Sequence, residues 1–291
     1  MADITTLVQI LIWGLTAGCI YILMAVGLNM IFGVMKVVNF AHGEIMMVGA
    51  FASYWLWTLT NLNPYIVMFL SMLLLAFFGI IIERFGFRKV MGTGKLNEIF
   101  LSLGLIYILQ NVAVKLWTDD VRKIESPYGS MTLNLGMLNI TYDRLIAIAF
   151  TALILIVLHI FLSKTDLGRA LRATSQNHEA AMLMGVDVNR IYMLSFGIGA
   201  ALAAAAGTVH GILSPFTPYM GTIPGIMAFA VIIIGGLGSV PGAIVGGLLL
   251  GVVQNFTIFY FGGAWKESVA FIMLIIVLVF KPTGIFGDGR H

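Results

Sequence analysis

Charge is scarce in this sequence: 16 Lys and Arg and 13 Asp and Glu make up 10% of 291 residues, against about 25% in an ordinary soluble domain. With 60% of the residues hydrophobic and a mean hydropathy of +1.01, a water-soluble enzyme is excluded. The basic residues form no run, so no nucleic-acid partner is expected. Cysteine is almost absent. Cys19 stands alone in an apolar run, which excludes an internal disulfide and is read as a small buried hydrophobe. No Lys or Arg precedes Lys36, so the basic start of a cleaved signal peptide is missing and the first apolar segment is expected to stay in the mature chain.

Catalytic signatures are missing too. Gly92-Thr93-Gly94-Lys95 lacks the spacing and the following Ser or Thr of a Walker A loop, so the chain is not expected to hydrolyse ATP by itself. No His-x-x-x-His pair, Cys cluster or Gly-x-Ser-x-Gly elbow occurs, so neither a metal nor an acyl-enzyme is indicated. His159 and His210 stand in apolar stretches without a nucleophile or acid in sequence reach, and each is read as a packing or interfacial residue.

What is present is apolar length. At roughly 20 residues per crossing, the chain supplies about eight spans and little else. It is an all-α integral membrane protein whose residues 1–291 form a single transmembrane domain. Gaps between charged residues place helices at 4–35, 44–60, 64–83, 99–114, 145–162, 191–212, 241–261 and 267–280, with Asn61-Leu62-Asn63-Pro64 dividing the second from the third. A further piece at 224–235 spans only about 18 Å at 1.5 Å per residue, too short for a core about 30 Å thick. Broken or half-helices are therefore expected near 36–44 and 224–242. Such breaks are tolerated where protein or a water-filled cavity satisfies the backbone, so they mark either an internal pathway or a tight packing point.

The basic residues orient the bundle. Lys36, Arg84, Arg88, Lys89, Lys95, Lys164, Arg169, Arg172, Arg190, Lys281 and Arg290 fall on one side, and Lys115, Arg122, Lys123, Arg144 and Lys266 on the other. The richer side is expected to be cytoplasmic, with the C-terminus. The N-terminus and the segment 116–143 are then outside, and 163–190 is a cytoplasmic loop. Small-xxx-small pairs such as Gly14 with Gly18 and Gly247 with Gly251 predict close helix packing. A weak internal likeness relates 33–43 to 231–242, each preceding a helix.

Loop 163–190 is the most informative segment. Asp166 is an expected N-cap, Asn177 a second, and Gly185 a helix end. The apolar side of the resulting short helix, Ala180, Ala181, Leu183 and Met184, suits either packing on the chain's own bundle or the grip of a partner.

These residues carry a resemblance. Glu179-Ala180-Ala181 followed by Gly185 is similar to the coupling motif of ABC importer permeases. The order Tyr21, Asn39-Phe40-Ala41-His42-Gly43-Glu44, Gly168-Arg169 with Arg172-Ala173, Gly235-Gly236-Leu237-Gly238-Ser239-Val240-Pro241-Gly242 and Lys281-Pro282-Thr283-Gly284 resembles the branched-chain amino-acid ABC permease family of the LivH type over about residues 7–287. No Pro follows the 185–194 stretch, unlike the longer coupling pattern of other importer classes. The resemblance implies a bacterial inner-membrane permease for leucine, isoleucine or valine, with no cofactor of its own. Its implied partners are a second homologous permease, two cytoplasmic ATPase subunits that bind ATP and Mg, and a periplasmic binding protein.

It further implies that Gly168, Arg169, Arg172, Glu179, Ala180, Ala181 and Gly185 couple to an ATPase. Residues Asn39, Phe40, His42, Gly43 and Glu44, with Gly235, Gly236, Gly238, Ser239, Pro241 and Gly242, are the candidates for the translocation pathway. Glu44 is expected near the membrane boundary, where it either serves the route or complements a helix N-terminus. Segment 116–143, with Asp119, Asp120, Arg122, Lys123 and Glu125, either meets the binding protein or is a solvated loop. Permeases for urea, short amides or other amino acids share these motifs. An ion-coupled carrier is the alternative from another class, and it wants ionisable residues in mid-span.

Overall fold

The uncharged stretches are helical, with interruptions at 61–63, 214–221 and 236–239, in the computed structural model, which describes residues 4–135 and 138–287. Among the described residues seven helices are long and apolar enough to cross a membrane, which makes this a multi-pass membrane protein. They comprise α1 (Ile4–Met35), α3 (Pro64–Ile82) continuing through a π turn at Glu83–Phe87 into α4 (Arg88–Val90), α5 (Lys95–Trp117) and α6 (Tyr142–Lys164), followed by α9 (Val188–Leu213), α11 (Val240–Phe261) and α12 (Lys266–Phe280) together with the 3-10 turn Gly263–Trp265 that leads into it. Two further bundle helices, α2 (His42–Thr60) and α10 (Thr222–Gly235), start inside the bundle. Two short ones, α7 (Asp166–Gln176) and α8 (His178–Leu183), lie in the long loop. Several helices overrun the ends expected from charge spacing. α5 begins at Lys95 and α6 ends at Lys164, because a charge marks where the apolar core ends and not where the helix must stop.

α1 is hydrophobic all round, and such a helix belongs at the centre. Leu23, Met24, Ala25 and Val26 on consecutive faces are fully buried. α1 packs along α11 as α9 packs along α3. α2 lies on α9 and α3 as α10 lies on α1 and α11, and α5 touches α2 as α12 touches α10. The bundle is thus an exchange-symmetric pair of halves, α1-α2-α3-α5 and α9-α10-α11-α12, running in opposite senses. The halves cross where glycines permit it. A β-carbon on Gly27 would stand 2.8 Å from the Gly199 carbonyl oxygen, and one on Gly199 the same distance from that of Gly27.

This symmetry corrects the internal likeness read from sequence. The counterpart of the break after α1 is the segment 214–221 before α10, and not 235–242. Outside the helices, β1 (Thr132–Leu135) pairs antiparallel with β2 (Leu138–Thr141), with Leu133 opposite Ile140. Segment 116–143 is tied down, since Arg122 exchanges backbone hydrogen bonds with Phe216 at 2.9 and 2.8 Å and its guanidinium lies over the rings of Tyr54 and Trp55. Buried Asp143 accepts from Tyr65 Oη at 3.0 Å and Ser126 Oγ at 2.6 Å.

Candidate pathway and coupling sites

The chain leaves α1 at Met35, turns at Lys36 with φ 58°, and runs back into the bundle before α2 begins at His42. There His42 lies against Gly27, and Gly43 meets the backbone of Gly221 so closely that a β-carbon on either would overlap the other's carbonyl. The N-termini of α2 and α10 therefore meet at the level of Gly199. That level is about 17 Å from the start of α9 and about 21 Å from its end at 1.5 Å per residue. Glu44 is accordingly a mid-bundle residue, which corrects its expected place near the boundary. The sequence shows a short connection after α1 but not that it doubles back.

Polar groups converge at this junction. Glu44 is 1% exposed. Its Oε1 accepts from Gln110 Nε2 at 3.0 Å and from Thr222 Oγ1 at 3.4 Å. Its Oε2, both ring nitrogens of His42 and Asn39 Nδ2 are buried without a hydrogen-bond partner among the described residues. The His42 ring lies near the Met24 backbone but makes no hydrogen bond of normal geometry with it. Buried polar atoms are normally paired, so four unpaired ones within six residues set this junction apart from the rest of the bundle. Asn39 Oδ1 accepts from Ala41 N at 3.0 Å and shapes the turn. Phe40 stacks on Phe229 at 4.9 Å and stays partly exposed, an aromatic surface where the chain enters α2.

The second candidate segment is a different kind of structure. Gly235 and Gly242 touch backbone to backbone, and Gly236 and Gly238 hold φ values of 107° and 85°, which favour glycine. Ser239 caps α11 through Gly242 N at 3.1 Å, with Pro241 in the first turn. Ile285 N and Phe286 N close the end of α10 by bonding Ile234 O and Gly235 O, each at 2.9 Å. Asn29 locks the turn from α1, donating to Ser239 O at 2.8 Å and accepting from Gly238 N at 2.7 Å. The backbone groups expected to line a route are thus largely used inside the turn. It sits at the level of Gly33, about 9 Å along α1 from the Gly27 level at 1.5 Å per residue. Asn29→Leu is expected to cost about 1–3 kcal/mol by removing two hydrogen bonds worth about 0.5–1.5 kcal/mol each, seen as a lower melting temperature of the purified chain. An unchanged value would show that the turn does not depend on Asn29.

In the long loop, Thr165 and not Asp166 is the N-cap of α7. Its Oγ1 accepts from Gly168 N at 3.0 Å, and Asp166, one position on, pairs with Arg169 in solvent. Gly168 presses against the backbone of Phe161 and Leu162, holding α7 across the end of α6. Leu171 and Thr174 face inward while Arg169 and Arg172 face out. Asn177 caps α8 as expected, accepting from Ala180 N at 3.0 Å, and Gly185 ends it at φ 85°. Of the apolar residues of α8, only Ala181 turns inward, at 4% exposure, whereas Leu183 and Met184 are 89% and 85% exposed. Glu179 and Ala180 are exposed as well. The loop is braced from beneath by buried Glu83, paired with Arg88 at 2.7 Å, while Arg88 also donates to Asn189 O at 2.9 Å.

Residues 10–278 match the family described as "Branched-chain amino acid transport system / permease component". The chain belongs to this family. It is 38% identical to the high-affinity branched-chain amino acid transport system permease protein BraD of Pseudomonas aeruginosa, over 99% of this chain and 98% of that one. It is 32% identical to LivH, the corresponding permease protein of Escherichia coli K12, over 94% and 93%. Among solved structures, PsaBC from Streptococcus pneumoniae in complex with Fab shares the fold, with a TM-score of 0.51 and 17% identity over 96% of this chain and 92% of that one. Sequence reasoning did not single out Gln110, Thr222 or Asn29. The available signal was an amide inside an apolar run, alone at Asn29 and beside Asn111 at Gln110.

Proposed function

We propose that this chain is the membrane-spanning permease subunit of an ABC importer for leucine, isoleucine and valine. It sits in a bacterial inner membrane with its N-terminus outside and its C-terminus in the cytoplasm. A second homologous permease completes the pathway, two cytoplasmic ATPase subunits bind ATP and Mg, and a periplasmic binding protein delivers the substrate. The observation that carries the reading is the exposed tip of α8, Leu183 and Met184, on a chain that matches a permease family over nearly its whole length.

The division of labour follows from the geometry. α8 is capped at both ends and hung between α7 and α9, so a push on its tip reaches the bundle through rigid elements. Displacement of that tip is the differential contact that a two-state transporter requires. The junction of α2 and α10 is the passage. The unpaired Glu44 Oε2 accepts from the substrate ammonium, the two helix N-termini favour its carboxylate, and Phe40 with Phe229 meets its apolar side chain. Such contacts are weak by design, because the binding protein supplies the affinity.

Reconstitution with the second permease, the ATPases and the binding protein tests this. Labelled leucine is expected to accumulate only with ATP and all partners, and Glu44→Gln is expected to lower the rate about tenfold, the worth of one charged hydrogen bond. Uptake by this chain alone down an ion gradient would instead make it a carrier. Transport of urea or an amide but not leucine would overturn the substrate.

A further inference from the structure

α6 and α11 both pack on α1 but make no extended contact with one another, and α7 packs against α6 and α1. The space left is a cavity of about 610 Å3, within the range of about 300–1,000 Å3 typical of small-molecule sites. Its depth is apolar, walled by Met30, Leu155, Leu162 and Ile244. Asn29, which reaches it from α1, has its amide already committed to Gly238 and Ser239. Its rim is polar, formed by His159, Ser163, Arg172 and Gln176 with Arg172 as its cation, and no Asp or Glu lines it. Lys164 follows Ser163 as the last residue of α6, and exposed Lys36 lies two residues beyond Val34 of the cavity floor.

An apolar cleft between membrane helices with a basic rim at the helix ends has the polarity of an anionic amphiphile. We propose that this groove binds an anionic glycerophospholipid of the cytoplasmic leaflet, its phosphate at the rim and its acyl chains between α6 and α11. The charge pattern favours this occupant, because basic residues near an anionic leaflet gain about 1 kcal/mol each. The lipid touches α7 on one side and the 238–241 turn on the other, so it links the coupling loop to the end of α10.

The assembled transporter, purified from vesicles of equal parts phosphatidylglycerol and phosphatidylcholine, gives the test through the lipid it retains. Phosphatidylglycerol is expected in roughly tenfold excess, the worth of one to two basic residues. Leu155→Trp and Ile244→Trp, which fill the groove, and His159→Glu, which puts an acid on the rim, are expected to abolish that excess. Ile275→Trp, on the exposed face of α12, is expected to preserve it. A photoactivatable phosphatidylglycerol on the unaltered protein serves independently of whether the variants assemble, with adducts expected on α6 and on the second half of α1. Equal retention of the two lipids, an undiminished excess in the filled variants, or adducts confined to other helices would overturn the proposal. Displacement of the lipid by an equal concentration of inorganic phosphate would also overturn it, by showing a site for a free anion.

Discussion

Exchanging Leu183 and Met184 together for aspartate is expected to bring ATP-driven leucine uptake to background while the binding protein keeps its affinity for leucine. Both side chains stand in solvent at 89% and 85% exposure, so the permease itself loses no packing and its melting temperature should hold. What is lost is contact with the ATPase. Burying two such side chains in a partner's cleft contributes about 1.5–3 kcal/mol each, and at 1.4 kcal/mol per tenfold their removal costs about two to four powers of ten in affinity. Placing unpaired carboxylates in the same cleft adds to this. Co-purification of the ATPase subunits and uptake into vesicles should fail together. Normal uptake by the double variant would remove α8 from the coupling path.

The second large effect is at the junction. Gly43→Val, and separately Gly221→Val, places a side chain where the other glycine's carbonyl stands, and the two helix starts must part. Overpacking of this kind costs about 1–3 kcal/mol, a fall of several degrees in melting temperature at about 2–4 °C per kcal/mol for a chain approaching this size. The displacement also moves Glu44 away from Gln110 and Thr222, so transport should be lost even in protein that folds. Gly104→Val on α5 is the control, because nothing lies within 4 Å of a β-carbon there. Similar losses from Gly104 and Gly43 variants would mean that the junction has no special standing.

Spans were legible because charge is so scarce: the stretches free of Asp, Glu, Lys and Arg reappear as helices, and the short piece before Gly235 is the 14-residue α10. Caps were legible at Asn177 and Gly185, whose side chain or φ determines a local turn. Thr165 and Asp166 compete for one N-cap, and burial of Gly168 against α6, a tertiary fact, selects Thr165. The depth of Glu44 was not legible. Nothing in Lys36 to Ala41 reveals that the connection re-enters the bundle, because its geometry is set by Gly27, Gly199 and Gly221, which are far away in sequence. The symmetry of the two halves was hidden for the same reason: Lys-Val-Val-Asn-Phe-Ala at 36–41 and Ser-Pro-Phe-Thr-Pro-Tyr-Met-Gly at 214–221 perform corresponding turns with almost no residues in common.

That an ATPase grips α8 is the claim on which the mechanism depends, and a single cysteine tests it. Ala181 is a poor site for the probe, since it faces inward. Leu183→Cys is a good one, and Cys19, buried within α1, leaves it the accessible thiol among the described residues. With a short bifunctional reagent in the assembled transporter, the cysteine at position 183 is expected to crosslink to an ATPase subunit, with a yield that changes between ATP-bound and nucleotide-free states. Crosslinks only to a permease subunit, or a yield indifferent to nucleotide, would contradict the account.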